Sequence, residues 1–189
     1  MVPGAGVVLA SRSPQRRAIL EQLGVAFEVI PSDVEELRDG IPSEVVTANA
    51  LRKAQAVAPQ AGPERLVLGV DTEVHLDDRI FGKAAGAAEA REHLAALSGR
   101  THDVYSGLAL IRGDSTRTAV ARTAVTFRAL DDTLLDWYLA TGEWRDRAGA
   151  YAIQGRGSAL VAQVDGDFWN VVGLPVALLL DLEPQLLAS

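Results

Sequence analysis

Two lysines and one aspartate stand out as residues that could carry chemistry. The chain has 189 residues, and Lys53 and Lys83 are its only lysines against sixteen arginines. A lysine ammonium is a compact point charge, which suits direct contact with a phosphate or an attacking water. Asp71 falls within the apolar run LVLGVDTEV at residues 66–74. A carboxylate there is costly unless it caps a helix, pairs with a cation or binds a metal, so it is either structural or functional.

An anion site is predicted at the start of the first helix. Residues 9–20, LASRSPQRRAIL, are typical of a strand end, a turn and a helix start with Ser13 as the N-cap. Three arginines surround that start: Arg12, Arg16 and Arg17. Each opposes the helix dipole by roughly 0.3–1 kcal/mol, and taken singly each is typical of a solvated surface. A bound phosphate, also contacted by the hydroxyls of Ser11 and Ser13, would reverse that penalty.

Two loops supply the remaining candidates. The acidic run Asp33, Glu35 and Glu36 follows a predicted strand, and it is either a solvated loop or a source of carboxylates for Mg²⁺. In the stretch GAYAIQG at residues 149–155, Gln154 offers a paired donor and acceptor that suit the edge of a nucleobase. The alternative for this stretch is a turn with an internally satisfied amide.

The composition excludes several classes of function. A formal net charge of −7 and a pI near 4.9 argue against a nucleic-acid polymer as partner. The absence of cysteine excludes disulfides, thiolate catalysis and cysteine-based metal sites. No signal peptide is predicted, and the apolar stretch 171–182 is too short and too interrupted to span a membrane. We therefore expect a soluble cytoplasmic protein that does not bind membranes.

Strands and helices alternate along the chain, which predicts an α/β fold with a mixed sheet. Helices are predicted at residues 14–23, 42–58, 86–97, 132–140 and 173–187. Strands are predicted at residues 6–10, 27–30, 66–74, 103–112, 119–130, 158–164 and 168–172, with a hairpin turn at Asp77-Asp78. No linker or internal repeat interrupts the pattern, and we predict a single domain over residues 1–189.

The order of the motifs resembles that of the Maf family of nucleoside triphosphate pyrophosphatases. From about Leu9 to about Pro175 the chain carries LASRSPQRRAIL, VEE after FEVIPSD, GVDTEV, FGK, LSGRTHDVYSG, DRAGAYAIQG and NVVGLP. The resemblance implies a Maf/ITPase-like fold, a mixed twisted sheet with flanking helices in two lobes around a deep cleft. It further implies hydrolysis between the α and β phosphates, a divalent cation (Mg²⁺ or Mn²⁺), a cytoplasmic location and commonly a homodimer.

The resemblance also implies roles for individual residues. The family's proton acceptor falls on Asp71 and its metal-associated glutamate on Glu36. Its phosphate-contacting residues fall on Arg16, Lys53 and Lys83, with Ser11 in the same motif as Arg16. Whether Asp71 acts as a base, as a metal ligand or as both stays open at this point.

Base preference is the least defined of these expectations. Thr72 and Gln154 match the branch that acts on dTTP and UTP, whereas Gln15 stands where many of its members have arginine. The preferred expectation is hydrolysis of dTTP and UTP. The alternatives are a house-cleaning pyrophosphatase for modified or non-standard nucleotides, and a non-catalytic nucleotide-binding regulator of cell division.

Overall fold

The computed structural model describes residues 6–187, in which strands and helices alternate. The strands are β1 (Val7–Leu9), β2 (Phe27–Val29), β3 (Leu66–Leu76), β4 (Arg79–Phe81), β5 (Thr101–Arg112), β6 (Ser115–Phe127) and β7 (Val161–Asp165). The helices are α1 (Pro14–Gln22), α2 (Pro42–Ala61), α3 (Ala87–Leu97), α4 (Asp132–Thr141), α5 (Phe168–Val172) and α6 (Val176–Leu182), and a 3₁₀ helix spans Gly155–Leu160. Among these residues, no helix combines the length and apolar character needed to cross a bilayer.

The strands form a mixed sheet, as the sequence predicts. Within the described part of the chain, seven strands pair in the order β2-β1-β3-β5-β6-β7, with β4 on β3. β1 lies parallel to both β2 and β3, whereas β4 is antiparallel to β3 and β7 is antiparallel to β6. The α/β class with flanking helices is therefore confirmed.

The chain divides into two compact units. The first unit contains the described residues of Met1–Asp71, Ser106–Ala121 and Gly173–Ser189. The second unit contains Thr72–Tyr105 and Arg122–Val172. The assignment of residues 1–189 to one domain stays a prediction.

Helix α2 covers the buried core of the first unit. Its apolar side chains at helical spacing pack on β1, β3 and β5, and the cluster includes Val8, Ala10, Ala50, Ala54, Val57, Ala61, Val67, Ala109 and Ile111. Burial of Ala61 explains why α2 continues beyond residue 58, where the sequence predicted its end. The helix ends at Gly62, whose φ of 84° is readily adopted only by glycine.

An aromatic cluster lies in the second unit. The rings of His102, Phe127 and Tyr151 meet edge to face, with centroids 4.8 to 5.4 Å apart. His102 is only 2% exposed, so it has a structural role in this cluster.

Two predicted elements near the carboxyl end are wrong. The segment Phe168–Val172 is helix α5 rather than a strand, because Asp167 Oδ1 accepts the backbone N–H of Trp169 and so caps a helical turn. The last helix spans only Val176–Leu182 instead of residues 173–187. Glu183 precedes a proline, and that position disfavours the helical conformation.

Candidate active site

Asp71, Lys53 and Glu36 converge in the first unit. The Nζ atom of Lys53 lies 2.7 Å from Asp71 Oδ1 and 2.6 Å from Glu36 Oε1. The side chains of Lys53 and Asp71 are 9% and 7% exposed, whereas that of Glu36 is 44% exposed. The structure thus places two carboxylates on one buried ammonium, with Glu36 on the solvent side.

The sheet and α2 approach each other closely enough for this contact to form. Gly69 lies two residues before Asp71, so both face the same side of β3. A Cβ on Gly69 would overlap the carbonyl oxygen of Ala50 and lie 2.9 Å from the Cβ of Ala54. A Cβ on Gly107 would likewise overlap the carbonyl oxygen of Val46. Both glycines therefore let α2 rest directly on the strand backbones.

Asn49 is a site residue that the sequence analysis missed. It is fully buried on α2, one turn before Lys53, and its Nδ2 donates to Asp71 Oδ2 at 2.9 Å. The same amide donates to Leu37 O at 3.0 Å and accepts from Leu37 N at 2.7 Å. Asn49 therefore ties Asp71 to the loop that carries Glu36. A polar residue in the apolar stripe of α2 was the available signal.

Helix α1 begins as predicted and buries one arginine. Ser13 Oγ accepts the backbone N–H of Arg16 at 3.5 Å. The Arg16 guanidinium donates from Nε to Gly173 O and from Nη1 to Ser11 Oγ, both at 2.9 Å. Burial lowers the pKa of Arg16, and the negative charges of Asp71 and Glu36 oppose that shift. Arg16 therefore lies within electrostatic reach of both carboxylates.

The other residues of the first motif differ in position. Arg12 forms an exposed ion pair with Asp33 at 3.0 Å, and the Arg17 side chain is also exposed. Gln15 is partly buried and accepts a hydrogen bond from Ser13 Oγ at 2.9 Å. Of the three arginines, Arg16 is therefore the one held within the candidate site.

The second unit contains the three remaining candidates. Thr72 directly follows Asp71 and is partly buried, whereas Lys83 and Gln154 are exposed. The backbone of Lys83 forms an antiparallel bridge with Ala148 at the start of the loop that carries Gln154. The structure therefore joins the FGK and DRAGAYAIQG motifs through their main chains.

The carboxylates suit a divalent cation of the magnesium type. Glu36 Oε1 and Asp71 Oδ1 converge on one nitrogen, so both oxygens face the same small volume. Mg²⁺ is commonly held by one or two carboxylates together with waters and substrate phosphates. Among residues 6–187 there is no group of three or more His, Asp or Glu side chains that would form an all-protein cage. The donor set therefore fits a cation shared with a phosphate-bearing substrate.

The charges of the site balance without a ligand. Arg16 and Lys53 supply two positive charges, and Asp71 and Glu36 supply two negative charges. A triphosphate carries about four further negative charges, which these two cations alone would not neutralise. A divalent cation on the two carboxylates would add positive charge at this position.

Comparison with known proteins identifies the family. Residues 6–185 match the family model described as Maf, Maf-like protein. A dTTP/UTP pyrophosphatase of Bacillus cereus is 47% identical over 173 residues, and that of Bacillus cytotoxicus is 49% identical over 172 residues. Each match covers 90% of both chains. A Ham1 protein structure from Staphylococcus aureus aligns with a TM-score of 0.46 and 17% identity over 65% of this chain and 71% of that chain. The chain belongs to the Maf family.

Proposed function

We propose that this Maf-family chain hydrolyses dTTP and UTP to the nucleoside monophosphate and pyrophosphate. The observation that carries the proposal is the buried triad of Asn49, Lys53 and Asp71, in which both oxygens of one carboxylate are held by donors. The curated relatives named dTTP/UTP pyrophosphatase support the same reaction and the same bases.

Asp71 is the proposed proton acceptor. Its Oδ2 accepts from Asn49 and its Oδ1 from Lys53, so the carboxylate is fixed on both sides while each oxygen retains a lone pair. A carboxylate fixed in this way can orient a water and accept its proton as the water attacks the α-phosphorus. The proton moves to Asp71, the water oxygen bonds to the α-phosphorus, and pyrophosphate leaves.

Positioned cations stabilise the charge of the triphosphate. Arg16 is immobilised by Ser11 Oγ and Gly173 O, and Lys53 by two carboxylates, so little reorganisation accompanies the reaction. Ser11 Oγ accepts bonds from Ser13 N and Arg16 Nη1, which leaves its O–H to donate to a phosphate oxygen. Lys83, in the second unit, is proposed to contact the phosphates as well.

Glu36 and Asp71 are the residues that would hold Mg²⁺ or Mn²⁺. When bound, the cation would supply positive charge to the phosphates and lower the pKa of a coordinated water. Chelation by EDTA is expected to abolish pyrophosphate release, and added Mg²⁺ is expected to restore it.

Thr72 and Gln154 are proposed to read the pyrimidine edge by hydrogen bonds. A site built on such bonds rejects a base that leaves its polar groups unpaired. Gln15 stands beside Arg16 at the substrate motif, and this departure keeps a second candidate function, removal of modified or non-standard triphosphates. A panel of standard and modified nucleotides separates the two functions by their kcat/KM values.

The position of bond cleavage provides the sharpest test. In water enriched in oxygen-18, attack on the α-phosphorus puts the label into the monophosphate, whereas attack on the β-phosphorus puts it into pyrophosphate. Mass spectrometry of both products is expected to find the label in the monophosphate alone. Label in pyrophosphate, or release of orthophosphate, would contradict the proposal.

Asp71→Asn tests the catalytic assignment. Loss of a general base is expected to lower kcat at least about 100-fold, while the melting temperature shows that the fold persists. Asp136→Asn is the matched control, because Asp136 is an exposed carboxylate that pairs with Arg91 on the surface of the second unit. Nucleotide binding by calorimetry without any product from the unmodified chain would instead favour a non-catalytic binding protein.

The homodimer stays a prediction based on the family resemblance, and the cytoplasmic location stays a prediction based on that resemblance and on the composition.

A further inference from the structure

The loop that carries Gln154 is closed at its base. We call residues 149–157 the Gln154 loop. Gly157 approaches the residues before Gln154 so closely that a Cβ on it would overlap the carbonyl oxygen of Ala152 and lie 3.3 Å from the hydroxyl of Tyr138. The two flanks of Gln154 therefore touch, and the exposed Gln154 side chain lies at the tip.

The backbone of this loop adopts conformations that are sparsely populated. Gly149 and Gly155 have φ values of 68° and 64°, and between them Ala150 has a φ of 58°. A left-handed conformation at a non-glycine residue is strained and persists only where the surroundings enforce it. Ala150 is fully buried, so its neighbours leave it little freedom to relax.

Two tyrosine hydroxyls hold the flank that precedes Gln154. Tyr138 OH accepts the backbone N–H of Ala152 at 2.9 Å, and Tyr151 OH lies 2.9 Å from Nε2 of His102. Burial raises the pKa of Tyr138 to about 12 and lowers that of His102 to about 4. Both contacts are therefore neutral hydrogen bonds at physiological pH.

A carboxylate holds the flank that follows Gln154. Glu143 Oε2 accepts the backbone N–H groups of Arg156 at 3.0 Å and Gly157 at 3.3 Å. A Cβ on Gly155 would lie 3.1 Å from the same carboxylate, so Glu143 packs directly against the loop. Backbone donors at a helix start favour a negative charge in this position.

We propose that Tyr138, Glu143 and Tyr151 are positioning residues that hold Gln154 in place and thereby set the base discrimination of the enzyme. This role rests on the proposed function, in which Gln154 hydrogen-bonds the pyrimidine. None of the three side chains needs to touch the substrate, because Tyr138 and Glu143 bond to the loop backbone on either side of Gln154. Tyr151 belongs to the loop itself and anchors it to His102.

Positioning matters because a glutamine amide is nearly symmetric. Uracil and thymine present an N3–H donor beside an O4 acceptor, whereas cytosine presents an N3 acceptor beside an N4 donor. A glutamine amide can pair with either edge, and which edge it meets depends on where the loop backbone places it relative to the base. Loosening the loop is therefore expected to reduce selectivity by base rather than to reduce the rate for all bases equally.

Tyr151→Phe is the first test variant. It removes only the hydroxyl that meets His102 and keeps the ring that packs on His102 and Phe127. Loss of one neutral hydrogen bond is expected to lower the ratio of kcat/KM for dTTP to that for dCTP about fivefold to tenfold. Tyr105→Phe is the matched control, since Tyr105 lies on β5 and contacts His75; its ratio is expected to stay unchanged.

Glu143→Ala tests the other flank through a different contact and is expected to lower the same ratio. Gln154→Ala serves as the reference, and the double variant Tyr151→Phe/Gln154→Ala is expected to show no further loss of selectivity, because the two residues act through one amide. Tyr151→Phe and Glu143→Ala that fold and lower kcat/KM equally for dTTP and dCTP would overturn the positioning role.

The outcomes separate this role from the proposed function. If the unmodified chain releases no pyrophosphate from dTTP or UTP, the proposed function is wrong. If Gln154→Ala lowers the selectivity while both Tyr151→Phe and Glu143→Ala retain it, the proposed function stands and the positioning role is wrong. If Gln154→Ala itself leaves selectivity intact, the positioning role is also overturned, because another residue then reads the base.

Discussion

Replacing Gly69 by alanine should disable the candidate site without touching any residue in it. The added Cβ would lie 2.9 Å from the Cβ of Ala54, whereas carbon atoms in contact are optimally about 3.5–4.0 Å apart. It would also overlap the carbonyl oxygen of Ala50, which is backbone and cannot rotate away. Helix α2 would therefore have to move from β3 by about 1 Å or more.

That displacement acts on the contacts that define the site. Asn49 and Lys53 move with α2, whereas Asp71 stays on β3, so the 2.9 Å and 2.7 Å hydrogen bonds to its two oxygens lengthen together. Misplacement of catalytic groups by about 1 Å can cost about 100-fold in rate. Overpacking of this kind also costs about 1–3 kcal/mol of stability.

The assay measures pyrophosphate release from dTTP together with thermal unfolding of the same preparation. Gly69→Ala is expected to lower kcat/KM about 100-fold, with a lower melting temperature and a cooperative transition. Gly86→Ala is the matched control, because a Cβ there meets nothing within 4 Å and the φ of −164° is open to any residue. A Gly69→Ala variant with unchanged kcat/KM would refute the reasoning that close helix–strand packing positions Asp71.

Two further predictions follow from buried polar groups. Asn49→Leu removes the hydrogen bonds to Asp71 Oδ2 and to Leu37. We expect kcat to fall about tenfold to 100-fold, as for other residues that orient a catalytic group. Gln55→Leu, on the exposed face of α2, is the control. Equal kcat values for the two variants would show that Asn49 has no positioning role. Burial lowers the pKa of His102 from 6.5 to about 4. As the pH falls, the unfolded chain therefore takes up this proton at a higher pH than the folded chain does. Its contribution to stability is complete above pH 6.5 and is lost as the pH falls toward 4, by up to about 3 kcal/mol. Urea unfolding at pH 7 and pH 4.5 is expected to show a smaller change for His102→Phe than for the unmodified chain, and identical changes would contradict this assignment.

The sequence predicts this fold where local signals agree and fails where distant partners decide. Helix α1 begins at Pro14 after the Ser13 cap, as predicted, because both signals lie within one turn. The segment Phe168–Val172 has the β-branched and aromatic composition of a strand, yet it is helix α5. Asn170, within that segment, donates to Val104 O and Thr123 Oγ1, which lie 66 and 47 residues earlier in the chain. The Asp167 cap that begins α5 is a local signal, whereas these partners of Asn170 are distant in the chain and no local pattern encodes them.

The residues of the candidate site likewise fall into those that the sequence reveals and those that it does not. Asp71 and Lys53 stand out in the sequence because a carboxylate in an apolar strand and a rare lysine are chemically conspicuous. Asn49 is inconspicuous because its role depends on Asp71, which lies 22 residues further along the chain. The burial of Arg16 depends on Gly173 O, 157 residues away, so the sequence could not distinguish Arg16 from the exposed Arg12 and Arg17 except through the family resemblance.

Glycines, which have no side chain, explain much of how the candidate functional residues are positioned. Gly69 and Gly107 let α2 rest against strand backbones in the first unit, and Gly157 lets the Gln154 loop close on Ala152 in the second. In each case the glycine faces a main-chain carbonyl, and a carbonyl held in a helix or a closed loop cannot rotate away as a side chain would. Alanine at these positions must therefore displace backbone, and with it Lys53 or Gln154. Alanine at Gly86, which faces open space, displaces nothing, so the effect of a substitution depends on what the glycine faces rather than on its distance from the reacting atoms.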